Sequence, residues 1–347
     1  MPAQDKPSRR RPSGWREVRA PGTDVTHETD YCADLCNPEA RAVLSSSPIE
    51  VPAALMSRAT GRAPARTLIA GADTAVALES AKAATEAGLI DPVLIGDPGK
   101  IRQGAVAMGW DISPFDVIEG IGDAGIADAA AVAVADLAVQ IVMKGHVHTD
   151  ALMAAMLRTE AGVRIGRRLS HVFHMTVPGS DRPLLISDGA LNVAPNDKTL
   201  QAIVENLVGL SHAIGLERPR IAVLSATEER VETMPSSLQA GALVDWARTQ
   251  DFTADIEGPF AFDNAVSPNA AEIKGLTGNP VAGQADAVIV PTIEVGNALF
   301  KMMVYFMSAC AAGVVIGGRV PIVITSRADP PVARLASTAL ATLAMDA

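Results

Sequence analysis

The sequence predicts an α/β fold built on a mostly parallel sheet, and three observations carry that expectation. From Ala65 onward, short apolar runs alternate with segments of helical spacing, the pattern of βαβ units. The 347 residues are 48% hydrophobic but only 3% aromatic, which suits a helix-covered sheet better than a β-sandwich. The β-branched run from Val320 to Thr325 reads as a buried parallel strand, and it leads through Ser326 and Arg327 into a helix opened by Asp329 and Pro330.

Residues 1 to about 50 are rich in Pro, Ser and charge without sustained periodicity, and read as a flexible arm or linker. Strands are then expected at Arg66 to Ala70 and Pro92 to Ile95, with a helix from Ala75 to Ala87 between them. An Ala-rich helix precedes a strand from Ala138 to Met143, which ends at Lys144-Gly145. Asp150 is placed to cap a helix from Ala151 to about Arg158. Leu169 to Met175 and Leu184 to Ile186 read as strands. Thr199 to Ile214 is an amphipathic helix, because Leu200, Ile203, Val204, Leu207 and Leu210 recur at helical spacing. Strands follow at Ile221 to Leu224 and Ala287 to Val290. The uncharged run from Met302 to Gly318 is Gly-broken and reads as a buried helix leading to the last strand, not as a membrane span.

The length allows two well-buried domains. A net charge of −10 argues against nucleic acid or an anionic membrane as partner, so an anionic substrate must be drawn by local Lys and Arg. Cys32, Cys36 and Cys310 make neither a disulfide framework nor a zinc site, and fit a reducing cytoplasm. The basic N-terminus has no apolar segment of the kind a signal peptide needs.

Several polar clusters directly follow predicted strands, which places them to converge on one face. Ser326 and Arg327 sit at a strand's carboxyl end opposite a helix N-terminus. An Arg there is unfavourable without an anion between, so the segment reads as a phosphate or carboxylate site. Lys144 and Gly145 suit phosphate binding, although the same loop also reads as a plain turn with Thr149 or Asp150 as cap. His146 and His148 lack ligand-spaced carboxylate or Cys partners, so no metal is expected. Arg167 and Arg168 stand before a strand holding Ser170 and His171, the latter read as a satisfied core histidine. Ser187 to Asn192, Ser225 to Thr227, Glu257 to Ala265 and Pro280 to Asp286 complete the set, with Glu257 and Asp263 read as two carboxylates on a loop. There is no GxGxxG after a strand, no P-loop and no GxSxG elbow.

In this order, the segments KGHVHTDAL, GRRLSHVFHM, ISDGALN, VLSATE, EGPFAFDNA, NPVAGQAD, GNALFK and VPIVITSRAD resemble the phosphate acetyl/butyryltransferase family. The motifs are nearest in style to the butyryltransferase-like branch, which includes proteins where this domain follows a MaoC-like hydratase domain. The resemblance implies a two-domain fold of the isocitrate/isopropylmalate dehydrogenase type with an interdomain cleft. The division expected is 51–155 with 316–347 as one domain and 156–315 as the other. It further implies a homodimer that transfers a short acyl group between acyl phosphate and CoA by direct thiolate attack. CoA is then a substrate, and no tightly bound cofactor is expected.

By the same resemblance Ser326, Arg327 and Asp329 are the catalytic candidates. Lys144, Gly145, Thr149, Arg167, Ser170, Ser225, Asp263, Asn264, Gly283, Asn297 and Lys301 are the substrate-binding ones. Two departures stand out. The general-base Asp of the acetyltransferases, seven residues after the Ser, corresponds to Ala333. A second family Arg falls near Tyr305, with Lys301 one turn earlier. A catalytically degenerate module that binds CoA or acyl phosphate is the alternative.

Overall fold

Alternating apolar positions along the strands decide how this chain layers. In β1 (Ala65–Ala70), Leu68 and Ile69 are both fully buried but point to opposite sides of the sheet, into different clusters of core side chains. A sheet buried on both faces needs helices on both, and the sequence supplies them. The computed structural model describes residues 44–136, 138–325 and 329–347, of which 45–347 form one unit.

In chain order, α1 (Ala53–Thr60) precedes β1, followed by α2 (Ala75–Glu86), β2 (Ile90–Gly96), α3 (Pro98–Ala107), β3 (Asp116–Glu119), α4 (Gly122–Asp136), β4 (Ile141–Lys144) and α5 (Thr149–Met156). Then come β5 (Ser170–Thr176), β6 (Leu184–Ser187), α6 (Asp197–Ala213), β7 (Arg220–Leu224), α7 (Pro235–Ala247), β8 (Asp255–Phe260), α8 (Phe262–Val266), α9 (Pro268–Ile273) and β9 (Ala287–Ile289). The chain closes with α10 (Ile293–Met307), β10 (Cys310–Ile316), β11 (Ile322–Val323) and α11 (Pro331–Ala344). Side-chain caps set several starts: Asp97 accepts from Gly99 N at 2.8 Å ahead of Pro98, and Asn196 accepts from Thr199 N at 3.0 Å. Asp150, expected as a cap, instead lies inside the first turn of α5, whose N-cap is His148 without a side-chain bond.

The strands form one eleven-stranded sheet in the order β3-β2-β1-β4-β11-β10-β5-β6-β9-β7-β8. From β3 to β11 all neighbours are parallel; β11 and β10 then pair antiparallel, as do β10 and β5, and β5 and β6; and β6, β9, β7 and β8 are again mutually parallel. The two parallel halves therefore run in opposite directions. One face is covered by α1, α2, α3, α6, α7 and α11, and the other by α4 and α5 in the first half and α8 and α10 in the second.

Three sequence expectations change. The apolar run from Met302 is not a buried helix: α10 ends at Met307, with Met302, Tyr305, Phe306 and Met307 exposed, and Cys310–Ile316 is a central strand. Glu257 lies in β8 rather than on a loop, and accepts from Arg248 Nη2 at 2.8 Å. Residues 45–47 are tied to the end of α10: Ser45 N donates to Tyr305 O at 2.9 Å and Ser308 Oγ to Ser47 O at 2.7 Å, so the ordered body begins before residue 51. Residues 1–43, with Cys32 and Cys36, lie outside the described residues. Cys310 is buried, and desolvation pushes its thiol up to about 12, which leaves it an unreactive core side chain.

Candidate active site

The strand order β3-β2-β1-β4 makes the gap between β1 and β4 the place where the chain switches direction of winding, and such gaps hold ligands at the strands' carboxyl ends. Here two glycines let the exits of both strands interlock. Gly145 N donates to Ala70 O at 2.8 Å and His146 N to Gly71 O at 2.7 Å. A Cβ on Gly145 would lie 2.3 Å from Gly71 O, and one on Gly71 (φ 84°) 2.6 Å from the His146 carbonyl. Gly145→Ala is therefore expected to push the two loops apart, at a cost of about 1–3 kcal/mol. Turnover should fall more than the melting temperature; normal turnover in the variant would show that the gap does not carry the chemistry.

Beside these loops is a cavity of about 240 Å3 lined by Thr74, Val76, Ala77, Lys144, Thr325 and Arg334, together with Gly145 and His146. Thr74 is the N-cap of α2 but makes no side-chain cap bond, so the helix presents its amino end there uncovered by its own cap. Lys144 is only 9% exposed, and its Nζ donates to Thr325 O at 3.4 Å. Arg334 is 8% exposed, its Nε donating to Ser80 Oγ at 2.8 Å and its Nη1 to the Asp329 carbonyl. Both its partners are neutral, and no carboxylate of the described residues pairs with it. A buried cation in the first turn of α11, against the positive helix end, stores an unmet demand for negative charge. Lys144, Arg334 and the α2 terminus therefore suit an oxyanion.

Arg334 escaped the sequence reading, which treated its helix as an apolar face. The available signal was that Arg334 is the one charged residue in Pro331–Ala344. Ser326 and Arg327 lie outside the described residues. The chain on either side of them is at the cavity: Thr325 lines it, and Arg334 binds the carbonyl of Asp329. Asp329 is not the cap of α11, since the N-cap is Pro330. Ala333 is 5% exposed and packs in the core with Ala336 and Leu340, so that position offers the cavity no carboxylate. Thr149 is exposed in the first turn of α5. Near it, His148 Nδ1 pairs with Asp123 Oδ2 and holds that carboxyl below its usual range, a carboxylate partner that sequence spacing did not reveal.

A second group gathers at the opposite strand ends, around Asp188. This buried carboxylate, 1% exposed, accepts from His171 N at 3.0 Å, Ala190 N at 3.0 Å, Leu191 N at 2.8 Å and Asn192 Nδ2 at 2.7 Å. Asn192 Oδ1 in turn takes the Arg168 Nε at 3.0 Å. Ser170 is fully buried and accepts from Asn206 Nδ2 at 2.8 Å, while Arg167 Nη1 reaches Asn206 Oδ1 at 3.4 Å. The 188–189 backbone packs on the start of α10, where a Cβ on Gly296 would lie 2.8 Å from Asp188 O, next to half-buried Asn297. Lys301 and Tyr305 are exposed further along α10 and line none of these cavities.

His171 is not the satisfied core histidine expected, because its Nδ1 is buried without a partner. Burial pushes both His171 and His174 down to about 4. Unfolded imidazoles take up protons near 6.5, so between those values the unfolded chain binds more protons than the folded one. The stability tied to keeping both rings neutral is thus present above about pH 6.5 and lost as pH falls toward 4. Melting temperatures at pH 7.5 and 5.0 should differ accordingly, and His174→Asn should reduce the difference; an unchanged melting temperature across that range would contradict the assignment.

A third group lies after β7 and β8. Ser225 N donates to Phe260 O at 2.7 Å and its Oγ lies 3.0 Å from Ser236 Oγ; Asn264 Nδ2 binds Glu228 Oε1; and Gly283 N donates to Asn264 O at 2.7 Å. Asp263 is in the first turn of α8. The expectation that all clusters converge on one face therefore needs correction. Lys144, Gly145 and Thr325 sit at one edge of the sheet and Arg167, Ser170 and Asp188 at the other, because strand direction reverses through β10 and β5.

Residues 123–342 match the family described as Phosphate acetyl/butaryl transferase. The chain is 41% identical over 290 residues to a phosphate acetyltransferase of Rhizobium meliloti, covering 83% of this chain and 92% of that protein. It is 36% identical over 267 residues to a phosphate butyryltransferase of Clostridium acetobutylicum, covering 77% and 88% respectively. Among solved structures, a branched-chain phosphotransacylase from Enterococcus faecalis superposes with a TM-score of 0.70 at 32% identity, over 81% of this chain and 99% of that one.

Proposed function

The chain belongs to the phosphate acetyl/butaryl transferase family and is a phosphate acyltransferase, and on that premise we propose that the gap between β1 and β4 is where acyl phosphate and CoA react. The observation that carries this reading is the pairing of two buried cations, Lys144 and Arg334, beside the α2 amino end in one cavity. The phosphoryl group of a short acyl phosphate, acetyl to butyryl, sits against them. The CoA thiol gives up its proton, which ends on the released phosphate, and the thiolate attacks the acyl carbonyl; the C–S bond forms as the bond from carbon to the phosphate oxygen breaks. Inorganic phosphate leaves with its added negative charge held by the same cations.

Ser326 takes the sulfur side and Arg327 the anion side, with Asp329 as the carboxylate of that segment. Gly145 allows backbone approach, and Thr149 stands at the mouth. Ser225, Asp263, Asn264, Gly283, Asn297 and Lys301 belong to the facing wall in this reading. Support for a facing wall comes from sheet twist. Six steps separate β1 from β9, and at about 20–25° per step the strands turn by roughly 120–150°, which brings the carboxyl ends of the second half round toward those of the first. The domains in this reading are 51–155 with 316–347, and 156–315. A homodimer is supported by the exposed Met302, Tyr305, Phe306 and Met307 on α10, and a reducing cytoplasm by the free, buried Cys310.

The test runs the reaction backward: acetyl-, propionyl- and butyryl-CoA with inorganic phosphate, following free thiol. Phosphate-dependent thiol release is expected, with kcat/KM ranking the chain lengths. No release with any of the three would refute the reading and favour a module that binds without turning over.

A further inference from the structure

A cavity of about 180 Å3 lies on the side of the sheet covered by α1 and α6, between the amino end of α1, the last turn of α6 and the β5–β6 hairpin. It shares no lining residue with the cavity beside Lys144. His174 of β5 lines it and is only 4% exposed. Two residues on from Val172, its ring points to the same face as that core side chain. Its Nδ1 lies 3.3 Å from Thr176 Oγ1, while Nε2 has no partner among the described residues and is left to the cavity. A polar nitrogen so deeply placed is costly to leave unpaired.

Two charges of opposite sign line the same hollow without meeting. Arg58 and Asp181 each lack a hydrogen-bond or ion-pair partner among the described residues, and they do not pair with each other. Packing places Arg58: a Cβ on Gly215 (φ 93°) would collide with its guanidinium, and the carbonyl end of α6 favours a cation there. That arrangement holds the side chain yet leaves its N–H donors free. Pro52, the N-cap of α1, has no side-chain acceptor, so the first amides of that helix also meet the hollow uncapped. Leu55, Ile214 and Leu216 supply an apolar wall.

We propose that this cavity binds a small aliphatic α-amino acid, its carboxylate between Arg58 and the amino end of α1, its ammonium on Asp181 and its side chain against Leu55, Ile214 and Leu216. Charge, hydrogen bonding and size single out this ligand. A plain anion would lie beside the like charge of Asp181, and a plain cation beside that of Arg58, whereas a zwitterion complements both. Within the ligand, either the carboxylate or the ammonium can satisfy His174 Nε2, as acceptor or as donor. The volume is well below the ~300–1,000 Å3 of drug-sized sites, which limits the ligand to on the order of ten non-hydrogen atoms. The site does not depend on the acyl-transfer reading, since its residues take no part in that chemistry.

Calorimetric titration of the full chain with glycine, L-alanine, L-valine and L-leucine tests the proposal, with the 2-oxo acid and the primary amine that correspond to valine as controls. Saturable binding of valine or leucine, tighter than that of glycine, is expected, and both controls should bind at least about 10-fold more weakly. Arg58→Gln and Asp181→Asn should each weaken binding about 10-fold. Both should leave the melting temperature and turnover unchanged, because neither side chain has a partner among the described residues. Asp181→Asn should also abolish the preference for valine over its 2-oxo acid. Equal binding of the oxo acid and the amino acid by the unaltered chain would reduce the hollow to an anion site and overturn the proposal. So would a failure of all four amino acids to bind at millimolar concentration, or binding that neither substitution changes.

Discussion

Arg334→Gln is expected to lower kcat/KM for acyl phosphate by on the order of 10²–10³, as for loss of a charged group that meets a developing oxyanion. The side chain is 8% exposed, lines the cavity beside Lys144 and is held by Ser80 Oγ and a backbone carbonyl, neither of which neutralises it. Its charge is therefore available to the departing phosphate, and Gln, a shorter neutral side chain, removes that charge while keeping a polar group at the position. Arg334→Lys should recover part of the loss, because a point charge replaces the fork. Steady-state kinetics with acyl phosphate varied at saturating CoA provide the measurement. A change smaller than threefold in a variant with wild-type melting behaviour would mean that Arg334 is only a buried strut.

The largest effect on stability is expected from Asp188→Ala. Four N–H groups converge on this carboxylate, at 2.7 to 3.0 Å. Removing it strands buried donors on β5 and on the 190–192 turn, at a cost of about 3–5 kcal/mol. The denaturant midpoint should drop with little change in slope. Asp188→Asn keeps one acceptor oxygen and should fall between. A midpoint within experimental scatter of wild type would show that water can replace the carboxylate.

Much of this was legible in the residues, for local reasons. The helical spacing of Leu200, Ile203, Val204 and Leu207 matches the buried face of α6, and the apolar runs at 66–70, 221–224 and 287–290 are strands β1, β7 and β9. The misses also have local causes. β8 carries Gly258-Pro259, which punctuates like a turn, and the helix-to-strand change at Ser308 is hidden inside one continuous apolar run. Strand direction is a different matter. Nothing in the Ser170–Thr176 or Cys310–Ile316 segments tells which way they will run beside their neighbours, so the separation of Lys144 from Ser170 to opposite edges was not readable. The chemistry of Lys144 and Gly145 was visible because a Lys-Gly step ended a strand. That of Arg334 was not, since an Arg on an amphipathic helix ordinarily faces water.

Direct attack at a single centre is the claim on which the account turns, and isotope exchange tests it most directly. Labelled inorganic phosphate is incubated with unlabelled acyl phosphate and the protein, with and without CoA. If the thiolate attacks acyl phosphate directly, label enters acyl phosphate only when CoA is present, because every exchange must pass through acyl-CoA. Exchange in the absence of CoA would require an acyl group held on the protein itself, and would contradict the account.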